Sequence, residues 1–129
     1  YKRQGGHCLL RIPIVSSYAW EHYRERWVGL EAPRHLYLHS VESIRHLADA
    51  AGFIIQDIIF DSTDYQFRGS ELYVRGITQC DASGNISQTP AGVSRSQLRT
   101  WKRRAKQLNR EQRGDQAAFL LKKQPETEK

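Results

Sequence analysis

The stretch SVESIRHLADAAGFIIQDIIFDS, residues 40–62, decides the fold. Ser40 is a good N-cap, and Glu42 stands in the first turn, where the helix dipole favours an acid. Val41, Ile44, Leu47, Ala48 and Ala51 recur at helical spacing and predict one apolar face. Gly52 supplies the left-handed position that ends a helix, and Phe53 can close the hydrophobic contact behind it. The mostly apolar FIIQDIIFDS then follows as a strand.

Upstream, HCLLRIPIV (7–15) reads as another strand, preceded by a Gly5-Gly6 turn, with Pro13 near its end where a ladder donor can be spared. So long an apolar run predicts burial on both faces, as in α/β proteins. Residues 16–39 form an aromatic, polar loop with a short helix around Tyr18 to Arg26. Its Tyr18, Trp20, Tyr23, Trp27, Leu30 and Leu36 argue for order. Within it, EAPRHLYLHS (31–40) is too irregular for a strand, and Pro33 excludes a continuous helix.

Downstream, DYQFRGSELYVRGI (64–77) predicts a short helix with Tyr65, Phe67, Leu72 and Tyr73 inward. Residues 78–92 read as a turn-rich surface loop. Ser94 and Gln97 make a capping-box pattern that opens a basic helix, with Leu98, Trp101, Ala105 and Leu108 as its seam. DQAAFLLKK reads as the last strand, and 124–129 as a frayed tail.

One domain over 1–129 suits the length, and no apolar run is long enough to cross a bilayer. The start has no signal-peptide pattern, and Cys8 and Cys80 lack ligand spacing, so a reducing, cytoplasmic setting with free thiols is expected. The net charge of +6 is concentrated, since residues 94–114 hold eight Lys or Arg against Glu111 alone. That helix keeps a second function class open, a basic module that grips RNA or another anion through phosphate contacts. Trp101 falls on the apolar seam, however, where it serves a core better than a base stack, so nucleic acid is the weaker reading.

GGHCLLRIPIV followed by ERWVGLEAPRHLYLHSVESIRHLADAAGF resembles the C-terminal half of class I S-adenosylmethionine-dependent methyltransferases. The branch is the broad one of ubiquinone-biosynthesis and natural-product enzymes. The matching string is W-x-x-L-x-x-P-R-H, at Trp27, Leu30, Pro33, Arg34 and His35, followed by the Ala51-Gly52-Phe53 helix ending. The resemblance implies a partial Rossmann-like α/β fold. Its three-stranded mixed sheet would be flanked by helices, with the last strand central and antiparallel, and residues 64–113 would be a helical insertion before that strand. It also implies a small-molecule acceptor and S-adenosylmethionine as cofactor, bound mainly by an N-terminal half of the same protein. No glycine-rich loop follows the first strand, so this chain alone is expected neither to bind the cofactor nor to turn over.

The site expected from this resemblance comprises Tyr18, Trp27, Arg34 and His35. His35 would be a base for the acceptor's proton and Arg34 a clamp for an anionic group, or both would brace the loop against the next helix. Tyr18, Trp20, Tyr23 and Trp27 would wall the acceptor or pack the loop on the sheet. No histidine set with metal-ligand spacing is present, and no membrane partner is expected. The free edge of strand 7–15 is expected to promote self-association.

Overall fold

A computed structural model describes residues 6–31, 34–79, 83 and 89–125. Gly5, Pro33, Cys80, most of the 78–92 loop and the 126–129 part of the tail lie outside the described residues. The chain runs β1 (His7–Pro13), α1 (Tyr18–Tyr23), two single 3-10 turns (Arg24–Arg26 and Val28–Leu30) and α2 (Val41–Ala50). It continues through β2 (Phe53–Phe60), α3 (Tyr65–Val74), α4 (Arg95–Arg110) and β3 (Gln116–Lys123).

The strand order is β1-β3-β2, and β3 is antiparallel to both neighbours. The last strand is therefore central and antiparallel, the arrangement the resemblance implies. The expectation of a mixed sheet is corrected: every strand pair is antiparallel. β1 and β2 do point the same way, but β3 lies between them and prevents a parallel ladder.

The two-sided burial expected for the first strand is also corrected. Cys8, Leu10 and Ile12 turn toward α2 and join Ile14, Ile44, Ala48, Ala117, Phe119 and Leu121 in one core. The alternate residues are exposed, Leu9 to 69%, with Ile54, Ile59 and Leu120 also at the surface. An apolar run alone cannot separate this arrangement from a strand covered twice, because the open face is apolar too. On that face Arg11 Nε donates to Asp61 Oδ2 at 2.6 Å.

Helix α2 is held at its start by a reciprocal box. Ser40 Oγ accepts the Ser43 amide and Ser43 Oγ accepts the Ser40 amide, both at 3.0 Å. Gly52 takes the expected left-handed conformation, with φ of +71°. The predicted apolar face is narrower than expected, since Ile44 and Ala48 are buried while Leu47 and Ala51 are exposed. The reason is the edge position of β1, because no described strand continues the sheet beneath Leu47.

A second core, formed by Ala19, Tyr23, Trp27, Val28, Phe67, Ala105 and Leu108, joins α1, α3, α4 and the 3-10 turns. All three helices cluster at one end of the sheet, where β1 and β2 finish and β3 begins. The junction is closely tied. Ile14 N–H donates to the Asp115 carbonyl at 2.8 Å, and Tyr18 N–H to that of Arg113 at 3.1 Å. Asn109 Nδ2 donates to the Ser62 carbonyl at 2.9 Å, and Asn109 Oδ1 accepts the Ser62 amide at 3.1 Å. Gly114 fits there because a Cβ would come within 2.4 Å of Asn109 Oδ1.

Candidate functional site

Ligands in open α/β sheets bind beyond the carboxyl ends of the strands, where loops bring distant residues together. Among the described residues, two of the hollows at that end hold residues singled out by the sequence.

The smaller, about 200 Å³, is lined by Glu31, His35, Tyr65 and Asp115, among others. Glu31 ends the second 3-10 turn with φ of +37°, a left-handed conformation that costs a non-glycine residue about 1–2 kcal/mol. Its Oε2 lies 3.2 Å from Arg34 Nη1 and 3.6 Å from His35 Nε2, so one carboxylate gathers both basic residues of the loop. The Arg34 side chain is 75% exposed and lines neither hollow, whereas that of His35 is 30% exposed and faces the smaller one. Burial, with Tyr73 and Glu31 nearby, pushes the Tyr65 phenol above its ordinary value.

Asp115 forms the floor. Burial raises its carboxyl above the usual aspartate value, partly offset by hydrogen bonds from Trp27 and Ser62. Trp27 is fully buried, and its Nε1 donates to Asp115 Oδ2 at 3.0 Å. It therefore supports the hollow from behind rather than walling it. Because the folded state holds the Asp115 proton more tightly than the unfolded chain does, stability falls as pH rises through the window just above the usual carboxylate range. Asp115→Asn retains an acceptor for the indole and cannot ionise. It is expected to gain on the native protein as pH rises through that window, measured by urea unfolding across a pH series. A stability difference that stays constant with pH would rule out this effect of Asp115.

The larger hollow, about 620 Å³, lies among α1, α3, α4 and Gly92–Val93. Trp101 stacks on Phe67 with centroids 6.2 Å apart, and Tyr18 meets Phe67 edge-on at 6.4 Å. The Arg104 guanidinium lies 5.1 Å from the Tyr18 ring centroid. Tyr23 Oη donates to Glu71 Oε1 at 3.2 Å, and burial together with this carboxylate pushes the phenol well above its ordinary value, so it stays protonated.

The structure thus separates the residues expected to form one site. Tyr18 belongs to the larger hollow, His35 to the smaller, Arg34 to the surface beside Glu31, and Trp27 to the core. Of the other aromatic candidates, Tyr23 lines the larger hollow and Trp20 packs edge-on against Trp27 at 6.0 Å. Glu31, Glu71, Arg75, Arg104 and Asp115 had no role in the sequence reading. A signal existed for Arg104, which stands one helical turn after Trp101 and so shares its side of α4. Among the described residues no cluster of three or more His, Cys, Asp or Glu could hold a metal, and no helix is long and apolar enough to cross a membrane.

No family model, curated protein or solved structure matches this chain.

Proposed function

We propose that the chain is the acceptor-side part of a class I S-adenosylmethionine-dependent methyltransferase, acting on a small molecule. The observation that carries this reading is the insertion of β3, antiparallel, between the two strands that precede it. The resemblance implies that same order for the end of the methyltransferase sheet. Its loop string also falls beside a hollow at the carboxyl ends of the strands, through His35.

The described residues do not fit the cofactor itself. The segment after β1 contains Ile14 and Ser17, both fully buried, and no glycine that would let a nucleotide approach the backbone. Asp61, which follows β2, is engaged by Arg11. The cofactor is therefore assigned to an N-terminal half of the same protein, docked against the edge of β1 that no described strand pairs. An apolar groove between β1 and α2, lined by Cys8, Leu10, Leu47 and Ala51, supports that docking, because a further strand and helix would cover it.

What these residues contribute is acceptor chemistry: a closed floor at Asp115, a base at His35 and an orienting carboxylate at Glu31. The alternative, a basic module for RNA, gains less support. Arg95, Arg99, Lys102, Arg103, Lys106 and Arg110 are exposed along α4, but Trp101 packs on Phe67 instead of standing free as a base platform.

The test is to express the coding sequence upstream of Tyr1 together with this chain, and to follow labelled methyl from S-adenosylmethionine into a panel of small metabolites. An upstream glycine-rich strand–loop–helix and label in a product are expected. Absence of both would sink the proposal.

A further inference from the structure

The larger hollow combines stacked rings with positive charge that no described carboxylate pairs. Its volume, about 620 Å³, suits a small ligand. Arg104 and Arg75 both line it, and neither pairs with a carboxylate among the described residues. Arg104 is half-buried on α4, and Arg75 stands at the rim, where Nη1 donates to the Ala91 carbonyl at 2.9 Å. Among the described lining residues the one carboxylate, Glu71, already accepts from Tyr23. Arg113, the other guanidinium near Tyr18, is paired with Glu21 and does not line the hollow.

A guanidinium presents a planar fork that matches the oxygens of carboxylates and phosphates. Holding Arg104 half-buried without an acid costs desolvation, and an incoming oxyanion would offset that cost. Beside Arg104, Trp101 lies on Phe67 with Tyr18 edge-on, a surface against which a flat ring gains contact area.

We infer that this hollow binds a ligand built from a planar ring bearing a carboxylate or phosphate, the ring against Trp101 and the oxyanion on Arg104 and Arg75, as a site separate from the smaller hollow. The inference does not rest on the methyltransferase reading. The site itself stands on the cavity and its charges.

The probes are 4-hydroxybenzoate, phenyl phosphate and the neutral 4-hydroxybenzamide, titrated into the 129-residue chain without cofactor while the indole N–H of Trp101 is followed by NMR. The anions are expected to shift that signal and to bind roughly tenfold more tightly than the amide, the difference one charge-assisted contact supplies. The tighter of the two anions identifies the oxyanion. Arg104→Gln is expected to abolish the preference. Arg75→Gln, at the exposed rim, is expected to weaken it about threefold and serves as the second variant should the first fail to fold. Equal binding of all three probes, no binding, or an undiminished preference in both variants would overturn the inference. Anion binding without methyl transfer by the longer protein would leave this site standing and remove the methyltransferase reading. Methyl transfer without anion binding would do the reverse.

Discussion

Replacing Trp27 by alanine is expected to cost about 4 kcal/mol of stability, within the range for deleting a fully buried tryptophan. For a domain of this size that is a large share of the total. Two effects add. The indole fills the middle of the helical core, with Ala19, Tyr23, Val28 and Phe67 in the same cluster. Its loss also removes one of the two side-chain donors, Trp27 and Ser62, to the buried Asp115 carboxyl, at a cost of about 1 kcal/mol. The site is shaped to the ring, since a Cβ on Gly29 would fall 2.3 Å from Trp27 Cζ2. Trp27→Phe separates the effects, retaining much of the packing while removing the N–H, and should lose about half as much. Urea unfolding followed by far-ultraviolet circular dichroism would measure both variants. A loss under about 1 kcal/mol in Trp27→Ala would show that the indole is not a keystone.

How much of this was legible depended on how far each residue's partner lies along the chain. The helix over 40–52 could be read because its cap, its seam and its terminating glycine are local. Even there the second half of the box is Ser43, a residue the sequence reading did not single out. The role of Trp27 was hidden, because its hydrogen-bond partner lies 88 residues away. A tryptophan in a polar loop looks the same whether it walls a cavity or fills a core. The open face of the sheet misled for a different reason. Leu9, Ile54 and Ile59 are as apolar as the residues beneath α2, so composition gave no sign that one face lacks a described covering layer. Arg104 was only one of the eight cations counted over 94–114, although its phase relative to Trp101 was already available.

On the proposed methyltransferase reading, His35→Gln is expected to lower the rate of methyl transfer by the longer protein about 10²- to 10⁴-fold, the usual contribution of a positioned general base. The smaller hollow offers few other bases. Tyr65 is held in its protonated form, Asp115 already accepts from Trp27, and Glu31 is shared with Arg34. His35 directs Nε2 toward Glu31 at 3.6 Å, which leaves Nδ1 to take the acceptor's proton while the carboxylate stabilises the imidazolium that forms. Glu31→Gln preserves shape but removes that charge, so it should cost about tenfold. A purely bracing role for His35 predicts something else. Thermal stability and KM would then change, but the acid limb of the rate–pH profile would survive in His35→Gln. Loss of that limb, with unfolding temperature unchanged and turnover reduced, would mark proton transfer. A turnover within threefold of the native value would return His35 to the structural role. In that case the left-handed strain at Glu31 would serve only to fasten the loop.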